Sequence, residues 1–214
     1  MIIPVDVLKK CLFDNFIKIN GVLHIGSHDC EEMPIYIDDL CIDSDKIIWI
    51  DALDVKVIDA KKRGIINVFN EVISDKDNDI VMFNKANNTT SSSIFCFKTH
   101  TTIYPEIIVD EIQPKQTITI DSFFNKNLIN ASHYNLWNLI IQGSELLALK
   151  GGIKSLENVD VIITKIFLKE LYFGCNMLKE YDDFLGQYLF RRVLTEITPH
   201  GWGEAVYIKN RQHK

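Results

Sequence analysis

The stretch Gly21-Val22-Leu23-His24-Ile25-Gly26-Ser27-His28, followed by Lys46-Ile47-Ile48-Trp49-Ile50-Asp51, decides the fold. Each segment contains a short apolar run that is typical of a buried strand. The first run ends in a glycine turn and the second in a carboxylate. In a doubly wound sheet, such a turn lets the backbone approach a nucleotide, and an acid after the next strand accepts both ribose hydroxyls. Gly26 and Asp51 therefore predict a pocket for a nucleoside-type cofactor.

Strand and helix patterns alternate along most of the chain. The apolar spacing predicts strands over 22–25, 46–52, 67–73, 79–83, 116–120, 136–141 and 159–167, and helices over 5–19, 31–40, 55–62, 144–156 and 175–188. The polar run 87–93 predicts a surface or lid loop. Segments 191–197 and 204–208 predict a C-terminal antiparallel hairpin. We therefore expect an α/β fold with a doubly wound, mostly parallel sheet of about seven strands.

Length and composition narrow the classes of protein. The 214 residues, 47% of them hydrophobic, suit a single domain, with an N-terminal helix in 1–20 and a core over 21–209. A net charge of -6 with dispersed basic residues argues against a nucleic-acid partner. No apolar run reaches the roughly 20 residues that span a membrane. The five cysteines include no C-x-x-C pair, which favours reduced thiols in a cytoplasmic protein.

Several segments beyond the first two strands carry a family likeness. They are Glu31-Glu32, Ser91-Ser92-Ser93-Ile94, His100 with Tyr104-Pro105, Thr119-Ile120-Asp121-Ser122-Phe123, Gln142-Gly143-Ser144-Glu145-Leu146-Leu147-Ala148-Leu149-Lys150-Gly151, Glu170-Leu171-Tyr172 with Gly174-Cys175, Phe190-Arg191-Arg192 and His200-Gly201-Trp202-Gly203. With His24 to His28, they resemble the FkbM-type family of S-adenosylmethionine-dependent methyltransferases over roughly residues 20 to 209. The segment that begins at Gln142 is the most specific of them.

The resemblance implies a class I methyltransferase-like Rossmann fold. It also implies S-adenosyl-L-methionine at the carboxyl ends of strands one and two. The methyl group would go to a hydroxyl of a small acceptor, such as a sugar or glycan. The candidate cofactor-binding residues are His24, Gly26, Ser27, His28, Asp51, Ser92 and Gln142.

Three positions depart from the family pattern. Ile140 stands where members of the family commonly have an Asp. Lys165 and Phe167 stand where the family usually has an acid and an Asn at the end of a strand. Because these side chains offer no oxygen ligands, we predict no Mg²⁺ or Ca²⁺ there. The departures leave a second hypothesis open, a catalytically silent family member that serves as a ligand-binding or partner module. A nicotinamide-dependent oxidoreductase is disfavoured, since no G-x-G-x-x-G follows the first strand.

The candidate catalytic residues are Lys165, Glu145 and His28. Lys165 could neutralise a developing alkoxide or, if desolvated, activate the hydroxyl; alternatively it is paired or solvated. Glu145 could act at the acceptor or stabilise the start of a helix. His28 could be an acid–base group or hydrogen-bonded pocket lining. His200 and Trp202 are candidate substrate-binding residues, or else parts of a tight turn. The sequence leaves the acceptor and the oligomeric state open, including a homo-oligomer.

Overall fold

The computed structural model describes residues 1–210. Its helices are α1 (Val5–Asp14), α2 (Asp54–Lys62), α3 (His100–Ile103), α4 (Ile120–Lys126), α5 (Glu145–Lys150) and α6 (Leu178–Gln187). Its strands are β1 (Val22–Ile25), β2 (Ile47–Asp51), β3 (Val68–Asn70), β4 (Val72–Ile73), β5 (Ile80–Ala86), β6 (Val109–Ile118), β7 (Leu136–Leu139), β8 (Val161–Phe167), β9 (Phe190–Ile197) and β10 (Trp202–Lys209).

Within the described residues, seven strands form one sheet in the order β3-β2-β1-β7-β8-β10-β9. β1 runs parallel to both β2 and β7, so that His24 lies between Trp49 and Asn138. β8 continues the parallel part, and β10 pairs antiparallel with β8 and β9. This arrangement confirms the predicted mixed α/β sheet with its C-terminal hairpin. The strand order reverses between β1 and β7, which is where such sheets open a crevice at their carboxyl ends.

The central strands are buried because helices cover both faces of the sheet. Every residue of β1, β2 and β8 is buried, as expected for parallel strands packed on two sides. One face packs against α4, α5 and α6, and the other against α1, α2 and Tyr36. The apolar runs that predicted these strands therefore reflect burial on two sides.

A second sheet was not predicted. The strand expected over 67–73 is interrupted at Glu71, so β3 joins the main sheet while β4 pairs with β6. β6 then pairs antiparallel with β5, which gives a three-stranded sheet in the order β4-β6-β5. Most of β6 escaped sequence analysis because it carries Pro114 and few buried side chains. The helix α4 was missed as well, although Thr119 caps it by accepting a hydrogen bond from the Ser122 amide.

Three predicted helices are shorter or less regular than expected. α1 ends at Asp14, and Phe16 takes a left-handed φ of 54° that stops further helix. The helix expected over 31–40 is instead a π-helical segment, Ile35–Asp39, that places Tyr36 in the core. α5 ends before the Gly151-Gly152 pair, as that pair predicts. Among residues 1–210, no helix combines the length and apolar character needed to cross a bilayer.

Candidate functional site

Two adjoining cavities open at the carboxyl ends of the parallel strands. The first, the Asp51 cavity, is lined by residues that include Asp51, Phe83 and Ser92 and measures about 550 Å³, including the part open to solvent. The second, the Lys165 cavity, measures about 1230 Å³ on the same basis. Both cavities share a wall formed by Gly26, His28, Thr90, Ile140 and Gln142. We refer to these five residues as the junction.

Gly26 forms the turn that lets strand β1 end at the junction. Its φ of 86° is left-handed, and its amide donates to the Ile50 carbonyl at 2.8 Å. A Cβ at this position would lie 2.1 Å from the Ile140 carbonyl oxygen. Only glycine therefore fits, both for backbone conformation and for space.

Asp51 ends β2 with its carboxylate turned inward. The side chain is 8% exposed; Oδ2 accepts from the His28 amide at 2.7 Å and Oδ1 from the Leu53 amide at 2.8 Å. Burial raises the pKa of Asp51, and these two amides oppose the shift. Two bonds leave unused acceptor sites on a carboxylate, which offers about four. The carboxylate is therefore held in place and still able to accept hydroxyl groups.

The polar loop 87–93 closes one side of the Asp51 cavity. Ser92 lines that cavity, and its Oγ accepts from the Ala86 amide at 3.0 Å. Ser93 Oγ donates to the Gln142 carbonyl at 2.8 Å, and His28 Nε2 lies 2.8 Å from Thr89 Oγ1. Both contacts tie the loop to the junction.

Gln142 connects the junction to the Lys165 cavity. It adopts a left-handed φ of 57°, and its Oε1 accepts from Lys165 Nζ at 2.8 Å and from the Tyr172 hydroxyl at 3.1 Å. Lys165 Nζ also lies 4.1 Å from the Trp202 ring centroid, a cation–π contact. Burial lowers the pKa of Lys165 to about 8, against the opposing charges of Glu145 and Glu204. The ammonium has three donors and Gln142 takes one of them.

Glu145 lies beneath the junction and lines neither cavity. Its Oε1 accepts from the Ile141 amide and its Oε2 from the Gly143 amide, each at 2.9 Å, and the Tyr181 hydroxyl is 3.3 Å from Oε2. Burial raises the pKa of Glu145 to about 7. The side chain therefore fixes the turn that carries Gln142.

Three further candidate residues do not line either cavity. His24 is fully buried, with Nδ1 3.0 Å from the Tyr36 hydroxyl and its ring 5.1 Å from that of Trp49. Ser27 is buried under the Gly26 turn, and His200 is exposed beside Tyr104. Trp202, in contrast, lines the Lys165 cavity and donates from Nε1 to the Tyr104 hydroxyl at 2.9 Å.

Other lining residues of the Lys165 cavity were not singled out as site residues by sequence analysis. They are Met1, Ile2, Glu31, Glu32, Asn88, His100, Tyr104, Ile107, Leu171, Tyr172 and Glu204. Glu32 and Glu204 come from different ends of the chain, and no local spacing relates them. His100, Tyr104 and Tyr172 belong to segments that carry the family likeness, which was the one available signal.

A group of possible cation ligands lies at the rim. His28 Nδ1 is 2.8 Å from Glu31 Oε1 and 3.1 Å from Asp29 Oδ2, and the three residues offer ligand atoms within 4.8 Å of one another. Asp29 is already paired with Lys56, whose Nζ lies 2.9 and 2.8 Å from its two oxygens. Ile140 and Lys165 do not belong to this group.

The sheet order, the glycine turn and the inward acid define an α/β fold of the class I methyltransferase kind. The methyltransferase FkbM domain model matches residues 26–192, and the chain belongs to that family. A solved FkbM methyltransferase from Methylobacillus flagellatus KT is 13% identical with a TM-score of 0.53, over 89% of this chain and 44% of that one. This chain thus spans less than half the length of that structure.

A second solved structure is the magnesium protoporphyrin IX methyltransferase from Synechocystis PCC 6803, which was determined with bound S-adenosylmethionine. It is 11% identical with a TM-score of 0.44, over 96% of this chain and 78% of that one. No curated protein matches the sequence significantly.

Proposed function

We propose that this chain is an O-methyltransferase that uses S-adenosyl-L-methionine and acts on a small hydroxylated acceptor, such as a sugar or glycan. The observation that carries the proposal is the pair of cavities that meet at Gly26 and Gln142. One cavity has the features of a nucleoside pocket, and the other is larger and lined by polar and aromatic groups. A methyltransferase needs two such sites with a narrow meeting point, because transfer depends on proximity and alignment.

The residues of the Asp51 cavity suit the donor. The Asp51 carboxylate would accept the ribose hydroxyls, and Ile50, Ile73 and Phe83 supply apolar walls for a base. Gly26 allows close approach of backbone to the ligand. The cofactor supplies an electrophilic methyl group on a sulfonium. The chain's own task is to hold an acceptor hydroxyl against that group and to exclude water.

We assign Lys165 to the acceptor side. Its pKa of about 8 keeps it charged at neutral pH, and it has donors beyond the one that Gln142 takes. An ammonium in a buried cavity stabilises negative charge on an acceptor oxygen more strongly than it would in water. Gln142 orients Lys165, and Glu145 holds the turn that carries Gln142 through the amides of Ile141 and Gly143.

The helix within 1–20 and the core 21–209 would act together as a single domain.

His28 keeps a role at the junction as a structural link. Its two ring nitrogens lie 2.8 Å from Glu31 Oε1 and from Thr89 Oγ1. With both nitrogens engaged, the ring ties the turn after β1 to the loop 87–93. We therefore propose that His28 holds the loop over the donor.

The test is a mass-shift assay with S-adenosylmethionine and a panel of sugars and small alcohols. The account predicts a gain of one methyl group on at least one acceptor, and a loss of about 100-fold in kcat for Lys165→Met. The exposed Lys62 serves as the matched control, since Lys62→Met removes a similar charge from the surface of α2. Donor binding without transfer to any member would contradict the enzymatic proposal.

The departures at Ile140, Lys165 and Phe167 motivate the competing function, a silent binding module. The double variant Ile140→Asp, Lys165→Glu discriminates between the two. If catalysis has decayed at these positions, restoring the acids creates turnover in a chain that had none. If the chain is active through Lys165, the same double variant loses turnover.

A further inference from the structure

His100 is an enclosed ring in the wall of the Lys165 cavity. It lies at the start of α3 and is 3% exposed. Its ring stacks on Phe97 with centroids 4.2 Å apart and planes at 16°, and it packs 5.4 Å from the ring of Tyr172. The Tyr172 hydroxyl in turn donates to Gln142 at the junction. The imidazole is thus held rigidly, one side chain away from the place where the two cavities meet.

Within residues 1–210, neither ring nitrogen of His100 has a hydrogen-bond partner. Nδ1 is enclosed without a hydrogen bond, and no residue in 1–210 makes a hydrogen bond to Nε2, the nitrogen that is not enclosed. In the tautomer with hydrogen on Nδ1, the lone pair lies on Nε2 and the enclosed N–H of Nδ1 has no acceptor among residues 1–210; in the other tautomer, Nε2 is a donor. A polar side chain this buried ordinarily has a partner, so its lack of one points to a ligand or water.

The other basic groups of the cavity are already engaged. Glu204 Oε2 accepts from the amides of Ile2 and Ile3 at 2.7 and 3.2 Å. Glu32 Oε1 accepts from the amine of Met1 at 2.7 Å. Both ring nitrogens of His28 have contacts. His100 is the basic side chain of the cavity wall that makes no hydrogen bond to residues 1–210.

The charge around His100 keeps it unprotonated. Burial, and then the positive charge of Lys165, lower the pKa of His100 to about 4, against the opposing charge of Glu106. At neutral pH the imidazole is therefore neutral and Lys165 is charged. A weak base is sufficient here, because the acceptor proton becomes strongly acidic as the oxygen–carbon bond forms.

Resting on the proposed function, we propose that His100 is the general base that takes the proton of the acceptor hydroxyl, while Lys165 stabilises the oxygen. The acceptor oxygen bonds to the methyl carbon as the carbon–sulfur bond breaks, and the electron pair of that bond goes to sulfur. The acceptor proton moves to Nε2 of His100. The imidazolium then returns its proton to solvent. Phe97 and Tyr172 orient the ring.

The first test needs no turnover. The His100 ring resonances are followed by NMR from pH 3 to 8 in the wild-type chain and in Lys165→Met. We expect an apparent pKa near 4 that rises when the neighbouring ammonium is removed. A titration near 6.5 that Lys165→Met leaves unchanged would overturn the assignment.

The second test measures transfer. We expect His100→Ala and His100→Gln to lose about 100-fold or more in kcat while keeping the donor affinity, and added imidazole to restore part of the rate in His100→Ala. The exposed His133 is the matched control, and His133→Ala should keep wild-type kcat with no response to imidazole. Melting temperatures show whether each variant is folded.

The outcomes separate the two proposals. A wild-type chain that methylates an acceptor while His100→Ala and His100→Gln keep full kcat would overturn the role of His100 alone. A wild-type chain that methylates nothing would overturn the proposed function, whatever the NMR titration shows.

Discussion

At the residue scale, the charge of Lys165 decides how the reaction depends on pH. If Lys165 acts as an ammonium, kcat falls as pH rises through about 8, where the side chain loses its proton. If Lys165 were the base, kcat would rise through the same range instead. The pH profile of kcat between 6 and 10 separates the two roles that the sequence left open. Lys62→Met should have the wild-type profile.

Glu145 makes stability depend on pH in an unusual direction. Its pKa is raised by burial from 4.5 to about 7, so the folded chain binds more protons than the unfolded chain between these values. The contribution of Glu145 is therefore present at low pH and is lost as pH rises through this window. We expect the free energy of unfolding of the wild type, relative to Glu145→Gln, to fall by about 2 kcal/mol between pH 5 and 8. Urea unfolding at both values measures it, and a difference that grows with pH would contradict it.

Single residues differed in how far the sequence could place them. The position of Asp51 was predictable because it ends a buried strand. Its separation from Gly26 along the sequence also fits two neighbouring parallel strands. His24 lies in the same motif, yet strand alternation turns its side chain into the core next to Trp49. His100 could not be placed, since a short helix between irregular segments has no periodicity that shows what it faces. Its position depends on contacts with Phe97 and Tyr172, which only the fold brings together.

At the element scale, the turn after β1 sets the distance between the sheet and the ligand. Gly26→Ala places a Cβ 2.1 Å from a carbonyl oxygen, in addition to a left-handed φ of 86°. Gly64→Ala is the matched control, because Gly64 has a φ of 82° with no heavy atom within 4 Å of an added Cβ. We expect Gly64→Ala to cost about 1 kcal/mol of stability and to keep donor binding. Gly26→Ala should cost more and abolish donor binding.

Thermal melts and donor titrations of both glycine variants check this prediction. Equal losses of stability with donor binding intact would show that the Gly26 turn does not shape the pocket. The loss of stability in both variants would then come from the left-handed φ alone, and not from the contact with the Ile140 carbonyl.

The strands that were predicted well from the sequence are those buried on both faces of the sheet, because such strands are continuous apolar runs. β1, β2 and β8 were placed to within a few residues because every one of their side chains is buried. β6 was largely missed because all but one of its side chains are exposed or only half-buried. The break at Glu71, which sends β4 to that sheet, depends on pairing with distant residues and leaves no local signal.

At the scale of the whole molecule, the two cavities arise from the reversal of strand order. Because β2 and β7 lie on opposite sides of β1, the connections leave in opposite directions and open a crevice above Gly26. The junction then divides this crevice into the Asp51 cavity and the Lys165 cavity. The sequence predicted the crevice, while the division depends on long-range contacts such as that between Ser93 and Gln142.

The most direct test of the central claim is calorimetric titration of the chain and of Asp51→Ala with S-adenosylmethionine. Asp54→Asn, at an exposed site on α2, is the control. The account predicts micromolar binding by the wild type and by Asp54→Asn, and about 10- to 100-fold weaker binding by Asp51→Ala, which loses hydrogen bonds to a charged group. Millimolar or absent binding by the wild type, or an unchanged affinity in Asp51→Ala, would contradict it.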